Sequence, residues 1–284
     1  MDRRVAATGP DSLPVVSDLD RRRFLASLAA ATVAGVGLAH ATIDTDRPRQ
    51  SSVPVLPANA ESPADTGLLP PPPASARVPL PGDGVLYNLP GEGDMMALTV
   101  DDGVNSDVVR LYTQFAKDTG IRLTYFVNGV NDSWTDNLAQ LRPLVESRQI
   151  QLANHTWSHP DLTTISSSEI ADQLMRNDRF LANNYGVDAK PFYRPPYGNH
   201  NETVRKIAAD LGYTATTLWN GSLSDSTLIT EDYIKQMADK YFQPQRIVIG
   251  HLNHMPVTHV YGTLVDLIKS RNLRTVTLDD VFLV

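Results

Sequence analysis

From residue 95 onward, apolar positions alternate between short solid runs and stripes at helical spacing. The runs at 95–100, 123–127 and 150–153 are almost wholly apolar, the pattern of strands buried on both faces. Between the first two, Val109, Tyr112, Phe115 and Ala116 form one helical face, with Ser106 as its cap and Gly120 as its stop. A second helix is expected over 137–147. Ser166 with Glu169 makes a capping box for a helix that carries Ile170, Leu174 and Leu181 and stops near Gly186. Phe192 and Tyr193 form a brief strand, and Asn201 caps a helix with Val204, Ile207, Ala208 and Leu211 that Gly212 closes. The pattern then predicts a strand at 213–218, a helix from Thr230 to Tyr241, a strand at 246–249, a helix at 260–270 and a last strand at 274–277. Seven such alternations predict an α/β fold with parallel strands, either a barrel or a doubly wound sheet.

Upstream the pattern changes twice. Residues 42–90 hold eleven prolines in 49 positions, including Pro70 through Pro73, and few large apolar groups. Too little can be buried there to offset chain entropy, so 42–85 is expected to be a disordered, Pro-rich linker. The folded domain is then 86–284. At the N-terminus, Arg21, Arg22 and Arg23 precede an uncharged stretch, Phe24 to Ala41, rich in Ala, Leu and Val and ending in Ala39-His40-Ala41. This resembles a twin-arginine export signal over 1–41. The stretch is short and weakly hydrophobic for a membrane span, so none is expected after cleavage.

Composition narrows the chemistry. Of the 284 residues, 42% are hydrophobic and 20% charged, which is enough apolar material for a sizeable core. A formal net charge of -7 argues against a nucleic-acid surface, which needs a basic patch. The absence of cysteine excludes disulfides, thiolate metal sites and thiol nucleophiles together. A metal here must be held by His and carboxylate.

The groups able to do chemistry all follow predicted strands. Asp101 and Asp102 follow the first, His155 and His159 the third, and Arg194 the strand at 192–193, while Asp225 lies beyond the one at 213–218 and His251 follows Ile249. That is the rim where an α/β barrel assembles its active site. His155 and His159, four apart, can reach one ion, and with a carboxylate from Asp101 or Asp102 they make a catalytic set with open positions. Each piece also has a plainer reading. The two histidines can be a polar turn, the paired acids a solvated turn, and Arg194 a surface salt bridge. His251 can be a hydrogen-bonded strand-end histidine or a group that titrates near neutrality and delivers a proton. Pro195 and Pro196 stiffen the backbone that aims Arg194 and the Tyr197 N–H. His254 and His259 fit no pattern and read as exposed loop residues.

Thr99-Val-Asp-Asp102, His155-Thr-Trp-Ser-His159, Arg194-Pro-Pro-Tyr197 and Ile249-Gly-His251, in this order, resemble the successive motifs of the NodB-homology polysaccharide deacetylases, carbohydrate esterase family 4. The resemblance spans about Ala97 to the C-terminus. It implies a distorted (β/α) barrel of seven or eight parallel strands and removal of N- or O-acetyl groups from glycans with a divalent metal, commonly zinc. It further implies that Asp102, His155 and His159 bind the metal and that Asp101, tethered by Arg194, is the general base. The Tyr197 backbone N–H would stabilise the oxyanion, His251 would be the general acid, and Ile249 would line the acetyl pocket. The implied partner is an acetylated glycan such as peptidoglycan or a chitin-like oligomer.

Two departures stand out. Val100 replaces the family's usual Phe. The fourth motif, usually Asp-x-x-Asp-Trp, appears as Ser222 to Ser226, so that Asp225 keeps one acid while the other acid and the Trp are missing. Trp219 is nearby but not equivalent; with Asp225 and Ile249 it is expected to form the substrate pocket. The altered motif leaves two alternatives open, namely a hydrolase of the same fold acting on another non-peptide C–N or acyl bond, and a non-catalytic wall-glycan binding protein.

Overall fold

The computed structural model describes residues 67–284. The expected export signal, 1–41, and the first part of the expected linker, 42–66, lie outside the described residues. Nine parallel strands are present: β1 (Val85–Leu86), β2 (Met95–Asp102), β3 (Leu123–Val127), β4 (Ile150–Asn154), β5 (Phe192–Tyr193), β6 (Ala215–Thr217), β7 (Gly221–Ser222), β8 (Arg246–His251) and β9 (Arg274–Thr275). The helices are α1 (Ser106–Thr119), α2 (Ser133–Asp136), α3 (Leu138–Glu146), α4 (Ser167–Tyr185), α5 (Glu202–Asp210), α6 (Glu231–Tyr241), α7 (Tyr261–Ser270) and α8 (Leu278–Val281). Eight strands follow one path, β1-β6-β5-β4-β3-β2-β8-β7, with β9 paired to β2. The sheet curls into a distorted (β/α) barrel with helices around it, as expected.

Side chains alternate across this wall, which gives the protein two apolar layers. Met96, Leu98, Val100, Tyr125 and Val127 belong to the larger cluster, between sheet and helices. Ala97, Phe126, Ala153, Phe192 and Ile247 belong to a smaller one inside the curl. By the same period of two, Thr99 and Asp101 share the inner face with Ala97. Fully buried apolar side chains at about 1.5–3 kcal/mol each hold both layers.

Local signals in the sequence set most boundaries. The capping box of Ser166 and Glu169 opens α4, and Gly186, at φ 70°, ends it. Asn201 and Thr230 cap α5 and α6 through their side chains. Asn105, not Ser106, caps α1, accepting from the N–H groups of Asp107 and Val108. The expected strand at 274–277 ends after two residues, because Thr277 and Asp280 form a capping box that opens α8.

The expected strand at 213–218 is also different. Only three residues separate β6 from β7, and both run parallel to their partners, so they are successive stretches of one interrupted strand. The first stretch pairs with β5 and β1, the second with β8. Beneath the second, Asn88 bridges to Arg246 of β8. The packed part of the chain therefore starts before residue 86. Val78 pairs with Phe282, Leu80 packs on the inner cluster and β1 extends the sheet at β6. The linker expected over 42–85 thus fails for its last stretch, where a few well-spaced apolar residues find an open edge to cover.

Candidate active site

β2 carries the site. Its register sets Asp101 opposite Phe126 of β3 and His251 of β8, and β3 in turn aligns Val127 with Asn154 of β4. The carboxyl ends of β2, β3, β4 and β8 thus meet at one level, where the loops converge.

Asp101 is buried, and its Oδ1 accepts from Nη1 of Arg194 at 2.5 Å. Arg194 is fully buried, and its other donors are used as well. Nε donates to the Thr217 carbonyl at 3.1 Å, and Nη2 donates to Thr99 Oγ1 at 2.9 Å and to the Leu218 carbonyl at 3.3 Å. The guanidinium lies 4.0 Å over the Phe126 ring. Burial lowers the Arg194 pKa against the pull of the Asp101 charge, and the net shift is downward. A guanidinium nonetheless stays charged, so the pair is ionic. A buried charge of this kind is tolerated only because it is paired and fully hydrogen-bonded.

Asp102 follows with φ 77°, and Gly103 with φ 82°. A Cβ on Gly103 would lie 2.3 Å from the Trp134 ring, so only glycine permits this turn. The turn brings the Asp102 carboxylate to face His155 and His159. His155 Nδ1 lies 2.7 Å from the Arg194 carbonyl, which can only accept, so the proton is assigned to Nδ1 and the Nε2 lone pair is left free. That Nε2 is 3.4 Å from Asp102 Oδ1 and 3.6 Å from Asp101 Oδ2, and His159 Nε2 is 3.5 Å from Asp102 Oδ1. The three donor atoms of Asp102, His155 and His159 all lie within 4.8 Å of one another. Asp102 Oδ2 accepts from Asn253 Nδ2 at 2.7 Å, whereas Oδ1 is buried without a hydrogen-bond partner.

These residues fit a divalent ion. A buried carboxylate oxygen with no donor, faced by two imidazoles, is the oxygen-and-nitrogen set such an ion takes, with positions left open. Burial works to raise the Asp102 pKa, but its neighbours, His155 first and then His251 and the Asn253 amide, outweigh it and hold the carboxyl well below its usual range. Burial, then the neighbouring His155, lowers the His159 pKa and favours the neutral imidazole that a metal needs. The two histidines lie on a loop, not a helix, with Thr156 and His159 at φ 71° and 61°. Thr156 Oγ1 accepts from the His159 N–H at 3.2 Å and tightens that loop.

Tyr197 has φ 61° in the turn Pro196–Gly198; its ring is exposed and meets the His159 ring edge to face at 4.6 Å. Across the cleft, His251 Nδ1 lies 3.0 Å from Asp225 Oδ1. Burial lowers the His251 pKa, but the hydrogen bond and charge of Asp225 more than reverse this, so the net shift is upward. The cleft, about 410 Å³, is lined by Asp101, Asp102, His155, His159, Tyr197, Trp219, Ser222, Ile249 and His251, among others.

The structure therefore brings together the expected ligands Asp102, His155 and His159, with Asp101, Tyr197 and His251 around them. Trp219 and Ile249 line the cleft as expected. Asp225 does not; it is buried behind His251. Arg194 is likewise out of reach of the cleft, bound to Asp101 from below. Sequence reasoning missed Thr99, Phe126 and Asn253. Thr99 had a signal, since it shares the inner face of β2 with Asp101, whereas Asn253 had none. His259 pairs with Glu231 at 2.7 Å on the surface, outside the site.

Comparison with known proteins bears on the family and the fold. Residues 88–216 match the profile of the polysaccharide deacetylase family. The chain is 32% identical over 139 residues to chitin deacetylase 1 of Cryptococcus neoformans, covering 49% of this chain and 28% of that protein. It is 25% identical over 193 residues to a peptidoglycan-N-acetylglucosamine deacetylase of Bacillus cereus, covering 66% of this chain and 68% of the relative. The fungal chitin deacetylases it matches are longer proteins, of which it spans 28%, 56% and 30%. Among solved structures, the chitin deacetylase of Colletotrichum lindemuthianum superposes with a TM-score of 0.63 at 23% identity, covering 71% of this chain and 93% of that one.

Proposed function

Residues 88–216 of this chain belong to the polysaccharide deacetylase family, and from that premise we propose a metal-dependent hydrolase that removes acetyl groups from an N-acetylated or O-acetylated glycan of the peptidoglycan or chitin type. Fold alone does not carry this reading, since folds host many functions. What carries it is the division of labour between two adjacent carboxylates. Asp102 faces His155 and His159 with an unpartnered oxygen, while Asp101 is turned away to Arg194.

Asp102, His155 and His159 would hold the ion, and the donor set suits zinc among other first-row ions. When bound, such an ion supplies Lewis acidity to water and to the acetyl carbonyl. The remaining steps belong to the chain. Asp101, held in place by Arg194, accepts a proton from the attacking water through its Oδ2. The Tyr197 backbone N–H, fixed by its turn, donates to the oxygen that gains charge. His251 keeps Nδ1 on Asp225 and delivers a proton from Nε2 to the departing nitrogen or oxygen. Ile249 and Trp219 supply the apolar wall for the methyl group and the sugar face.

Acetate release from N-acetylglucosamine oligomers, peptidoglycan and acetylated xylan, before and after chelation and zinc return, tests this reading. Turnover on at least one glycan that depends on metal is expected. Glycan binding without turnover by metal-loaded protein would refute it. The arginine pair and small-x-small pattern within residues 1–41 support export to the envelope by the twin-arginine route. The N-terminus of the exported protein, begun after Ala41, checks that part. Among the described residues no helix is long and apolar enough to cross a membrane.

A further inference from the structure

Asp225 is an unusual partner for His251 because only half of its carboxylate is used. Oδ1 meets His251, but Oδ2 is buried and has no hydrogen-bond partner. Besides Asp102 Oδ1 at the candidate metal site, three side-chain oxygens share that condition among the described residues: the hydroxyls of Tyr112 on α1, Tyr125 on β3 and Tyr261 on α7. The three hydroxyls form one group. The Tyr112 and Tyr261 rings meet edge to face at 5.0 Å, and both belong to the layer between sheet and helices, as does Tyr125. The charge of Asp225 is felt by Tyr112 and by Tyr261, and Tyr125 bears on both.

Gly250 explains how the carboxylate behind His251 reaches this layer. A Cβ on Gly250 would meet Leu223 at 3.1 Å and Asp225 Oδ2 at 3.6 Å. The strand thus lets Leu223, Val100 and the Asp225 carboxylate close in where a side chain would stand. Burying one unpartnered oxygen is costly, and burying four together is rare unless they serve one another. Phenols carry the hydrogens that a carboxylate oxygen lacks. Burial raises the pKa of all three, so they stay protonated donors throughout the working range.

We propose that Tyr112, Tyr125 and Tyr261, joined through internal water, form a buried hydrogen-bonded relay that ends on Asp225 Oδ2 and positions the Asp225–His251 pair. None of the three lines the cleft, so they are positioning residues. Their effect on the reaction rests on His251 being the acid of the proposed function. Donors to Asp225 favour its anion most when His251 is neutral, since a protonated His251 already compensates that charge. Removing them therefore raises the His251 pKa. The other charged or titratable groups that bear on His251 are Asp101 and Asp102 from β2 and His159 from the loop after β4.

Tyr112→Phe and Tyr261→Phe, singly and together, in the full zinc-loaded chain, test the relay. Labelled-histidine NMR should show the His251 titration move up by about half to one pH unit in the double variant, the scale of a lost bond to a charged group. The alkaline limb of kcat should move with it while KM stays within about twofold. Tyr185→Phe, at a buried tyrosine whose hydroxyl donates to the Trp134 carbonyl, should leave the His251 titration where it was. An unmoved His251 titration in the double variant would overturn the relay. So would a gain in stability, which is what losing truly isolated phenols predicts. Should the double variant fail to fold, the single Tyr261→Phe, at the least buried of the rings, decides by the same titration. Because that titration needs no turnover, the relay and the deacetylase reading fail separately.

Discussion

The two walls of the cleft are built in opposite ways. On the β2–β5 side, eight- and five-residue strands in continuous register hold Asp101, Asp102 and His155, the short β5 delivers Arg194, and every donor that Arg194 turns inward finds an acceptor. On the β7–β8 side, the six-residue β8 carries His251, but what backs it is a two-residue strand and a loop, with Ser224 at φ 59° and Asp225 using one oxygen. Both walls present a histidine to the same cleft. The first is a rigid frame around one unpartnered oxygen. The second is a hydrogen-bonded pair whose supports lie out of sight of the substrate. In the proposed function, metal and base need fixed distances while an acid needs a tuned proton affinity, and the two constructions would match those two needs.

That contrast predicts a graded series. Removing a ligand from the rigid wall, by His155→Ala or Asp102→Ala, should abolish stoichiometric metal by elemental analysis. Activity should fall by about 10³ or more, the scale of losing preorganised charge stabilisation. Asp101→Asn should keep the metal and lose about 10²–10⁴ in kcat; near-full activity with metal bound would show that another group takes the proton. Arg194→Met leaves a buried carboxylate alone, and urea unfolding should show a loss of about 3–5 kcal/mol. The opposite wall should be gentler. Asp225→Asn is expected to cost roughly tenfold in kcat, at the low end of acid–base effects, with little change in KM. A larger loss there than at Asp101 would reverse the comparison.

The smallest effect concerns pH. The His251 pKa is raised above its ordinary value of 6.5 in the folded protein. The pair therefore contributes its full stability below that ordinary value and loses it as pH rises through the folded one. Between about pH 6 and pH 9, the urea midpoint of the parent should fall more steeply than that of Asp225→Asn. Parallel slopes in the two proteins would remove Asp225 as the cause.

The sequence made the first wall readable and the second only in part, for a physical reason. Strands β2 and β4 are solid apolar runs, so their ends, and hence Asp101, Asp102 and His155, can be located by pattern alone. The rim position of His251 was equally plain. β7 left no signal, since Gly221 and Ser222 have neither strand propensity nor periodicity and pair with β8 only because β6 delivers them there. Asp225 could be named but not placed: expected in the substrate pocket, it was set behind His251 by tertiary packing. The stretch from Val78 to Leu86 was hidden for another reason. Its prolines outweigh its few apolar residues on composition, yet those residues cap an exposed sheet edge.

Asp101 and Asp102 are neighbours on one chain, joined by a planar peptide whose Cα atoms stand about 3.8 Å apart. The proposed proton acceptor and the proposed ion ligand are thus welded together. Thermal breathing of the cleft can carry them toward or away from a sugar, but it cannot slide one past the other. Adjustments for a different glycan must come from the facing loops, and can be made there without detuning the chemistry.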